Sequence, residues 1–434
     1  MASTSIPFGS PLARKVFGVA VFAEMYRQPT ITNNLVGSSP KQTQAEAKAE
    51  KGQSSADLPI VKVTDLSKGG GDVASIDLFQ IMVGKPLMGD KKIAGNLMAL
   101  TYDSQDIKLD QMRGGFDAGG RMTAQRTVHN LRSMGKKMLS GWWSRAMEQC
   151  RLVHMAGARG SQNDPSWVIP LDSDPTFDEI MVNQVNAPTY TRYLNVSATD
   201  GIPEQGTDAT VTAMDKNNKM SLNTINVLRT ICDESEAPLQ DVRIPGDMSQ
   251  GLDPLAVLLV SPRVWQELWH STVASNTHDW ETFLRDARER SKANPLFSGN
   301  NVGLWNGILV RKFLYPIRFQ ADEVINVATS ANDHTETTTA INAAANMIGD
   351  NTKLGAIDRS MLLGAQALAE CWGKNSGSGT HMNWYEREVA EDHGATFEAS
   401  ASSIGGTSKI TFKSANGKDY DHGVYAIDSF VEGI

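Results

Sequence analysis

From Met122 to Gly157 the chain runs without a proline. Val128, Leu131, Gly135, Leu139, Trp142, Ala146, Cys150 and Val153 follow one another at steps of three or four, the period of one helical face. The spacing predicts a single helix over 120–157. At ~1.5 Å rise per residue it would run on the order of 50 Å, long against a mean globular helix of ~11–12 residues. No a/d heptad with alternating e/g charges accompanies it, so a coiled coil fits poorly. One apolar stripe of that length needs a sheet or another helix to cover it. The stretch reads as the spine of a flat, elongated domain.

Its charge sets it apart from the rest of the chain. Between positions 121 and 159 stand Arg121, Arg126, Arg132, Lys136, Lys137, Arg145, Arg151 and Arg159, with Glu148 as the sole acid. The segment is formally +7 in a chain of −8, which leaves −15 for the remainder. Such asymmetry points either to an acidic partner or to a polar face with internal salt bridges.

The length of 434 residues suggests two or three domains with a sizeable core. A pI near 5.6 does not favour nucleic-acid affinity for the protein as a whole, though a local basic patch is compatible with it. Three cysteines, Cys150, Cys232 and Cys371, lie far apart; they form neither a disulfide framework nor a zinc pair, and a reducing compartment fits. No apolar run approaches the ~20 residues that span a bilayer. Arg14-Lys15 followed by the short run Val16–Ala23 resembles a signal-peptide core. Glu24 ends that run at once, which favours a short amphipathic helix in an N-terminal arm.

Residues 1–56 read as that arm, since Gly37–Ala56 is rich in Ser, Gln, Ala and Lys and buries little surface alone. Pro59–Leu66 and Asp72–Phe79 flank Gly69-Gly70-Gly71 and are expected to form a β-hairpin with each other. A hairpin alone is marginal in water, so this one should lie against its own domain or a neighbour. Asp106–Met112 alternates as a strand, and Gly114, Gly115, Gly119 and Gly120 read as punctuation before the long helix. Residues 183–220 are polar, with short strands at best. Ser221 is a plausible N-cap for a helix to Cys232. Leu255–Val260 is a continuous apolar run of strand length, followed by Ser261 as N-cap and Pro262 at the first helical position. Trp280–Ser291 reads as a charged helix and Gly307–Val310 as a buried strand. Asp358–Trp372 is expected to be a third apolar helix. Lys409–Ile434 reads as a hairpin around Asn416-Gly417.

Catalytic chemistry is hard to find. Gly84-Lys-Pro-Leu-Met-Gly89-Asp90 has phosphate-loop glycine spacing, but Asp90 stands where lysine is needed and Pro86 lacks an N–H. Ser133-Met-Gly-Lys136 matches the Ser-x-x-Lys pattern without its companion motifs. His381 and His393, with Glu386, Glu388, Glu391 and Asp392 between them, make the best local cluster among eight histidines. Their spacing matches no tight metal-ligand pattern. No catalytic, cofactor-binding or metal residue is therefore assigned and no cofactor is expected. The cluster supports only an alternative reading as a metal-dependent or hydrolytic enzyme. A third reading is a monomeric binding module docking by its hairpin edge.

Several stretches together resemble the major capsid proteins of tailed bacteriophages, in particular the phage N-four capsid family. They are Asp65–Asp72; Gly84–Asp90 leading to Gly95-Asn96; Leu109–Arg113 with Met122–Thr127; Leu258–Trp265 with Asn294–Phe297 and Asn306-Gly307; and Asp358–Ala367. They occur in the family's order from about residue 57 onward, and the ordered set carries the resemblance. The Asn/Thr-rich stretches 183–220 and 329–352 look expanded against it. The resemblance implies an α+β fold of the Hong Kong 97 type. It implies an N-terminal arm (1–56), an extended β-hairpin loop (57–104) and a peripheral domain with the spine helix (105–175). A mainly axial domain (176–375) and C-terminal strands returning to the peripheral domain (376–434) complete the division. It further implies a non-enzymatic virion subunit, assembled in the host bacterial cytoplasm into pentamers and hexamers around double-stranded DNA. Scaffolding, portal and decoration proteins are possible partners, and no membrane is. On that reading the basic spine helix partly faces the genome and neutralises phosphate without reading sequence.

Overall fold

The computed structural model describes residues 30–37, 57–64, 71–79, 102–120 and most of 130–433, with scattered positions in 85–97 and Arg126; within the last span 329–337, 342–353, 374–381 and 389–395 are among those left out. After a short arm helix, Ile31–Asn34, come β1 (Ile60–Val63), β2 (Val73–Phe79), β3 (Tyr102–Lys108) and β4 (Asp110–Gly120). The long helix follows, and then β5 (Tyr193–Val196) and β6 (Pro203–Gln205). Helix Leu222–Glu234 precedes β7 (Ala256–Val260), helices Pro262–Ser275 and Thr277–Arg290, β8 (Val302–Trp305), β9 (Ile308–Lys312) and β10 (Ile317–Gln320). β11 (Val324–Val327) pairs with β12 (Thr338–Ile341). The chain closes with β13 (Ala356–Leu363), β14 (Leu368–Trp372), β15 (Met382–Glu388), β16 (Thr396–Lys409), β17 (Thr411–Lys413), β18 (Asp419–Asp421) and β19 (Val424–Val431).

The long helix spans Leu131–Ala156, later in its start than the expected 120–157. β4 runs in strand conformation through Gly120, and Asn130 in extended conformation caps the helix by accepting from Ser133 N–H. Gly157 ends it in the left-handed region at φ 67, where a Cβ would lie 2.5 Å from Asn186 O. Its apolar stripe is covered by two sheets in turn. Leu139 and Trp143 pack on Trp372, Met382, Trp384, Ala399 and Ala401 of the five-stranded sheet, order β1-β14-β16-β15 with β4 on the other edge of β16. Leu152, Val153, Met155 and Ala156 join a core with Val257, Leu259, Leu309, Met361 and Ala426 of the eight-stranded sheet. Helices Leu222–Glu234, Pro262–Ser275 and Thr277–Arg290 cover its opposite face through Leu228, Val264, Leu268 and Phe283. One helix therefore ties two sheets together.

Local signals held where they were strongest. Ser221 and Ser261 cap their helices as expected, the second with Pro262 in the first turn. The runs at 255–260 and 307–310 are the buried strands β7 and β9.

Three expectations are corrected. Asp358–Trp372 is not a helix but β13 and β14, joined by a turn in which Gln366 takes φ 54. Both strands are buried throughout, so neither shows the alternation that marks a half-exposed strand. The early hairpin is not β1 with β2. β1 lies parallel to β14, and β2 pairs antiparallel with β3, Val73 opposite Lys108 and Phe79 opposite Tyr102. Gly114 and Gly115 lie within β4; a Cβ on Gly114 would meet the Trp142 ring at 2.6 Å, so glycine there admits the helix. The described strands within 376–434 are shared between sheets. β15 and β16 join the five-stranded sheet, whereas β19 is central in the eight-stranded one, between β13 and β5.

Candidate assembly surfaces

The β2–β3 hairpin alternates, as a strand pair with one covered side must. Ala74 and Ile107 are buried against Val61, Val63, Ala369, Ile410 and Phe412, while Val73, Ser75, Asp77, Tyr102, Ser104 and Asp106 are exposed. Gln105 fixes its root by donating to Lys409 O at 2.8 Å and accepting from Thr411 N–H at 3.0 Å. Between the two strands, Met88, Ile93 and Leu97 are 73%, 63% and 76% exposed. Large apolar side chains exposed to water are what an interaction surface presents.

A second surface runs along the long helix. Met134 and Met138 stand exposed beside a groove of about 770 Å³ between the helix and Gly114–Gly119 of β4. It continues past Met138 and Arg145 into a groove of about 780 Å³ lined by Glu148, Arg311, Lys312, Leu314 and Tyr315.

The helix's cations divide into two sets. Arg132 pairs with Glu386, and Arg151, fully buried, donates to Glu370 at 2.8 Å and to Asn33 of the arm helix at 2.7 Å. Arg159 stacks on Trp167 at 3.5 Å and donates to the carbonyls of Gln162, Ile169 and Pro170. Lys137 is exposed, and Lys136 and Arg145 are half-buried. The positive balance of this segment is thus partly a framework of internal pairs.

Glu148 anchors the arm. Its carboxylate accepts from Ile31 N–H at 3.3 Å, and burial pushes its pKa from 4.5 up to about 7, against the lowering effect of that bond and of Arg151. The folded state therefore takes up a proton between pH 4.5 and 7, and the favourable term is lost as pH rises through that window. Glu148→Gln is expected to be up to about 3 kcal/mol more stable than wild type at pH 8 and equal to it near pH 4. Thermal melts across that range test it; parallel pH profiles would remove the assignment.

Beneath these surfaces lies a buried ionic frame. Arg359 of β13 donates to both oxygens of Asp428 in β19, at 2.8 and 2.9 Å, and to Ala156 O at the end of the long helix at 3.0 Å. Tyr193 of β5 donates to the same carboxylate at 2.6 Å. Burial first, and the Asp428 charge after it, hold the Tyr193 hydroxyl well above its ordinary pKa. Beside it Arg318 of β10 forks onto Asp358 at 2.6 and 2.7 Å. Sequence reading missed this frame; the signal available was charged residues inside otherwise apolar strand runs.

The residues singled out for chemistry do not come together. His381 and His393, with Glu391 and Asp392, lie outside the described residues. Glu386 accepts from Arg132 and from Trp384 Nε1 at 2.6 Å, and its segment is the strand β15. Ser133 is exposed on the first turn of the long helix, its N–H serving the cap. Gly89 takes φ 69 in an exposed turn. Among the described residues no group of three or more His, Cys, Asp or Glu is placed to hold a metal, and no helix is long and apolar enough to cross a membrane. The three cysteines are buried thiols; burial raises the Cys150 pKa to about 12 and the Cys232 pKa to about 11.

A family model described as phage capsid protein matches residues 5–433. The chain belongs to the phage capsid protein family. The major capsid protein of Pseudomonas phage KPP25 is 28% identical over 275 residues, a match spanning 58% of this chain and 63% of that relative. The capsid of Ralstonia phage GP4 is similar in structure over 100% of this chain and 99% of that one, at TM-score 0.67 and 22% identity. The Cyanophage Pam1 capsid asymmetric unit matches over 87% of this chain and 90% of that one, at TM-score 0.56 and 17% identity. The α+β fold of this capsid protein is therefore of the Hong Kong 97 type, as its sequence led one to expect. Its role is structural, and it is a component of the virion.

Proposed function

We propose that this capsid protein is the major shell subunit, assembling with copies of itself into the pentamers and hexamers of an icosahedral head around double-stranded DNA. The family match across residues 5–433 carries the reading. The hairpin supports it: rooted on its own small core, it holds Met88, Ile93 and Leu97 in water, which suits an extended loop lying across a neighbouring subunit. The five-stranded sheet with the first half of the long helix would be the peripheral domain, and the eight-stranded sheet the axial one. Assembly would take place in the host cytoplasm, with scaffolding, portal and decoration proteins as further partners, and the subunit would perform no chemistry of its own.

The test is negative-stain electron microscopy of the purified chain across a concentration series. Closed shells, rings or sheets are expected. Uniform monomers at every concentration, with and without a co-expressed scaffold, would overturn the reading.

Contact with the genome is proposed for the exposed end of the long helix, where Lys137 and the half-buried Lys136 stand. Phosphate neutralisation of this kind is non-specific and salt-dependent. Lys136→Ala with Lys137→Ala should shorten the packaged DNA or make filled heads leak at lower salt. Unchanged genome length and salt tolerance would remove the helix from the DNA-facing surface.

A further inference from the structure

The groove beside the long helix carries positive charge that the described chain does not balance. Arg145 comes from the helix, and Arg311 and Lys312 from the end of β9. Arg311 donates to two main-chain oxygens, Ser298 O at 3.1 Å and Pro295 O at 3.3 Å, while its Nε is buried with no acceptor. Burial lowers its pKa with no carboxylate opposing the effect. Among the described residues, none of the three cations forms a salt bridge. The acid in the groove, Glu148, is turned to the arm helix. The rims are apolar, with Met138 and Leu314 exposed by 72% and 69%.

The opposite charge stands elsewhere on the same chain. In the connection that follows the long helix, Asp172, Asp174, Asp178 and Glu179 are all exposed. Asp174 holds the turn, accepting from Thr176 N–H at 2.9 Å and Oγ1 at 2.7 Å. Asp172, Asp178 and Glu179 form no salt bridge among the described residues. Phe177, buried within the main core, pins the segment, so its carboxylates are presented on a fixed turn.

We propose that in the assembled protein the acidic segment Asp172–Glu179 of one copy seats in the Arg145, Arg311 and Lys312 groove of the next. This rests on the reading that the chain assembles with itself. A segment of one copy seated in a groove of the next makes a heterologous contact, the kind that repeats around a ring. Charge complementarity then sets register and rejects wrong neighbours. The extended hairpin is the poorer occupant, because Lys85 and Lys92 beside its apolar residues repeat the groove's own sign. Duplex DNA is poorer too: its phosphate backbone has no apolar surface to set against the exposed Met138 and Leu314 side chains.

Charge reversal with rescue tests the contact on the full chain. Arg311→Glu with Lys312→Glu in one variant, and Asp178→Lys with Glu179→Lys in another, should each cut the fraction of subunits in sedimenting shells by about tenfold or more, as opposed charges become like ones. Combining all four should restore assembly to within about threefold of wild type, since a coupled pair is read by its non-additivity. Circular dichroism of each variant checks folding, and the milder Arg311→Gln with Lys312→Gln stands in should the reversal not fold. Two results overturn the proposal: single reversals that assemble as wild type does, or a combination no better than the worse reversal. Normal shells that lose only their DNA would also overturn it and assign the groove to the genome. Wild-type shells formed in the same assay keep the assembly reading separate from this contact.

Discussion

Asp428→Ala is expected to destabilise the subunit by about 3–5 kcal/mol, the cost of leaving a buried charge without its partner. Arg359 and Asp428 are both 0% exposed, on strands at the centre of the eight-stranded sheet. Removing the carboxylate orphans the Arg359 fork and the Tyr193 hydroxyl together. Against a total stability of roughly 5–15 kcal/mol for a typical domain, such a loss should show as poor soluble yield and a lowered urea midpoint. The mechanism has a sharper check. Replacing both partners, Arg359→Met with Asp428→Leu, removes the uncompensated charge and should recover most of the loss, because apolar pairs of similar volume often substitute for buried ion pairs. A double variant as unstable as Asp428→Ala would show that packing, and not charge, dominates this site. Some deficit should persist, since Ala156 O would lose the Arg359 bond that ties the long helix to the sheet.

Shortening the hairpin should act in the opposite way, leaving the subunit folded and abolishing its assembly. Phe79 and Tyr102 stand directly opposite each other, so removing residues 80–101 and joining the strands through Asn-Gly closes the pair with a favoured two-residue turn. The root of the hairpin, Ala74 and Ile107 in their small core, is untouched. What is lost is the exposed apolar set Met88, Ile93 and Leu97. Burying each on a neighbour would contribute roughly 1.5–3 kcal/mol, an upper bound before the cost of association. Melting and far-ultraviolet dichroism should match wild type, while shells disappear from sedimentation profiles. Shells of normal size from the shortened chain would show that the loop is not an assembly element.

The two predictions separate what the chain discloses locally from what it does not. The long helix, the Ser261-Pro262 helix start and the buried run of β7 are written in spacing and capping that act within a few residues. Family membership was legible for a related reason: the ordered motifs are spread from Asp65 to Ala367, within a family match that covers residues 5–433. The assembly surfaces were only half legible. The strand at 72–79 was legible, but both its turn and its partner were misassigned, because β-pairing depends on which strand a segment meets and not on its own alternation.

Period and charge alone determined that this protein has a long, cationic helix, and the ordered motifs carried the resemblance that implied an α+β capsid fold. The tertiary structure decided the rest. It turned Asp358–Trp372 into two strands, because burial on both faces removes the alternation by which a strand announces itself. It also decided the use of the helix's charge. Arg132 and Arg151 found carboxylates more than two hundred residues away, at Glu386 and Glu370, whereas Arg145 was left beside Arg311 and Lys312 in an open groove. Sequence fixes how many charges a segment carries; only the fold, by setting which groups share a low-dielectric interior, decides which are satisfied within the chain and which are left for a neighbour.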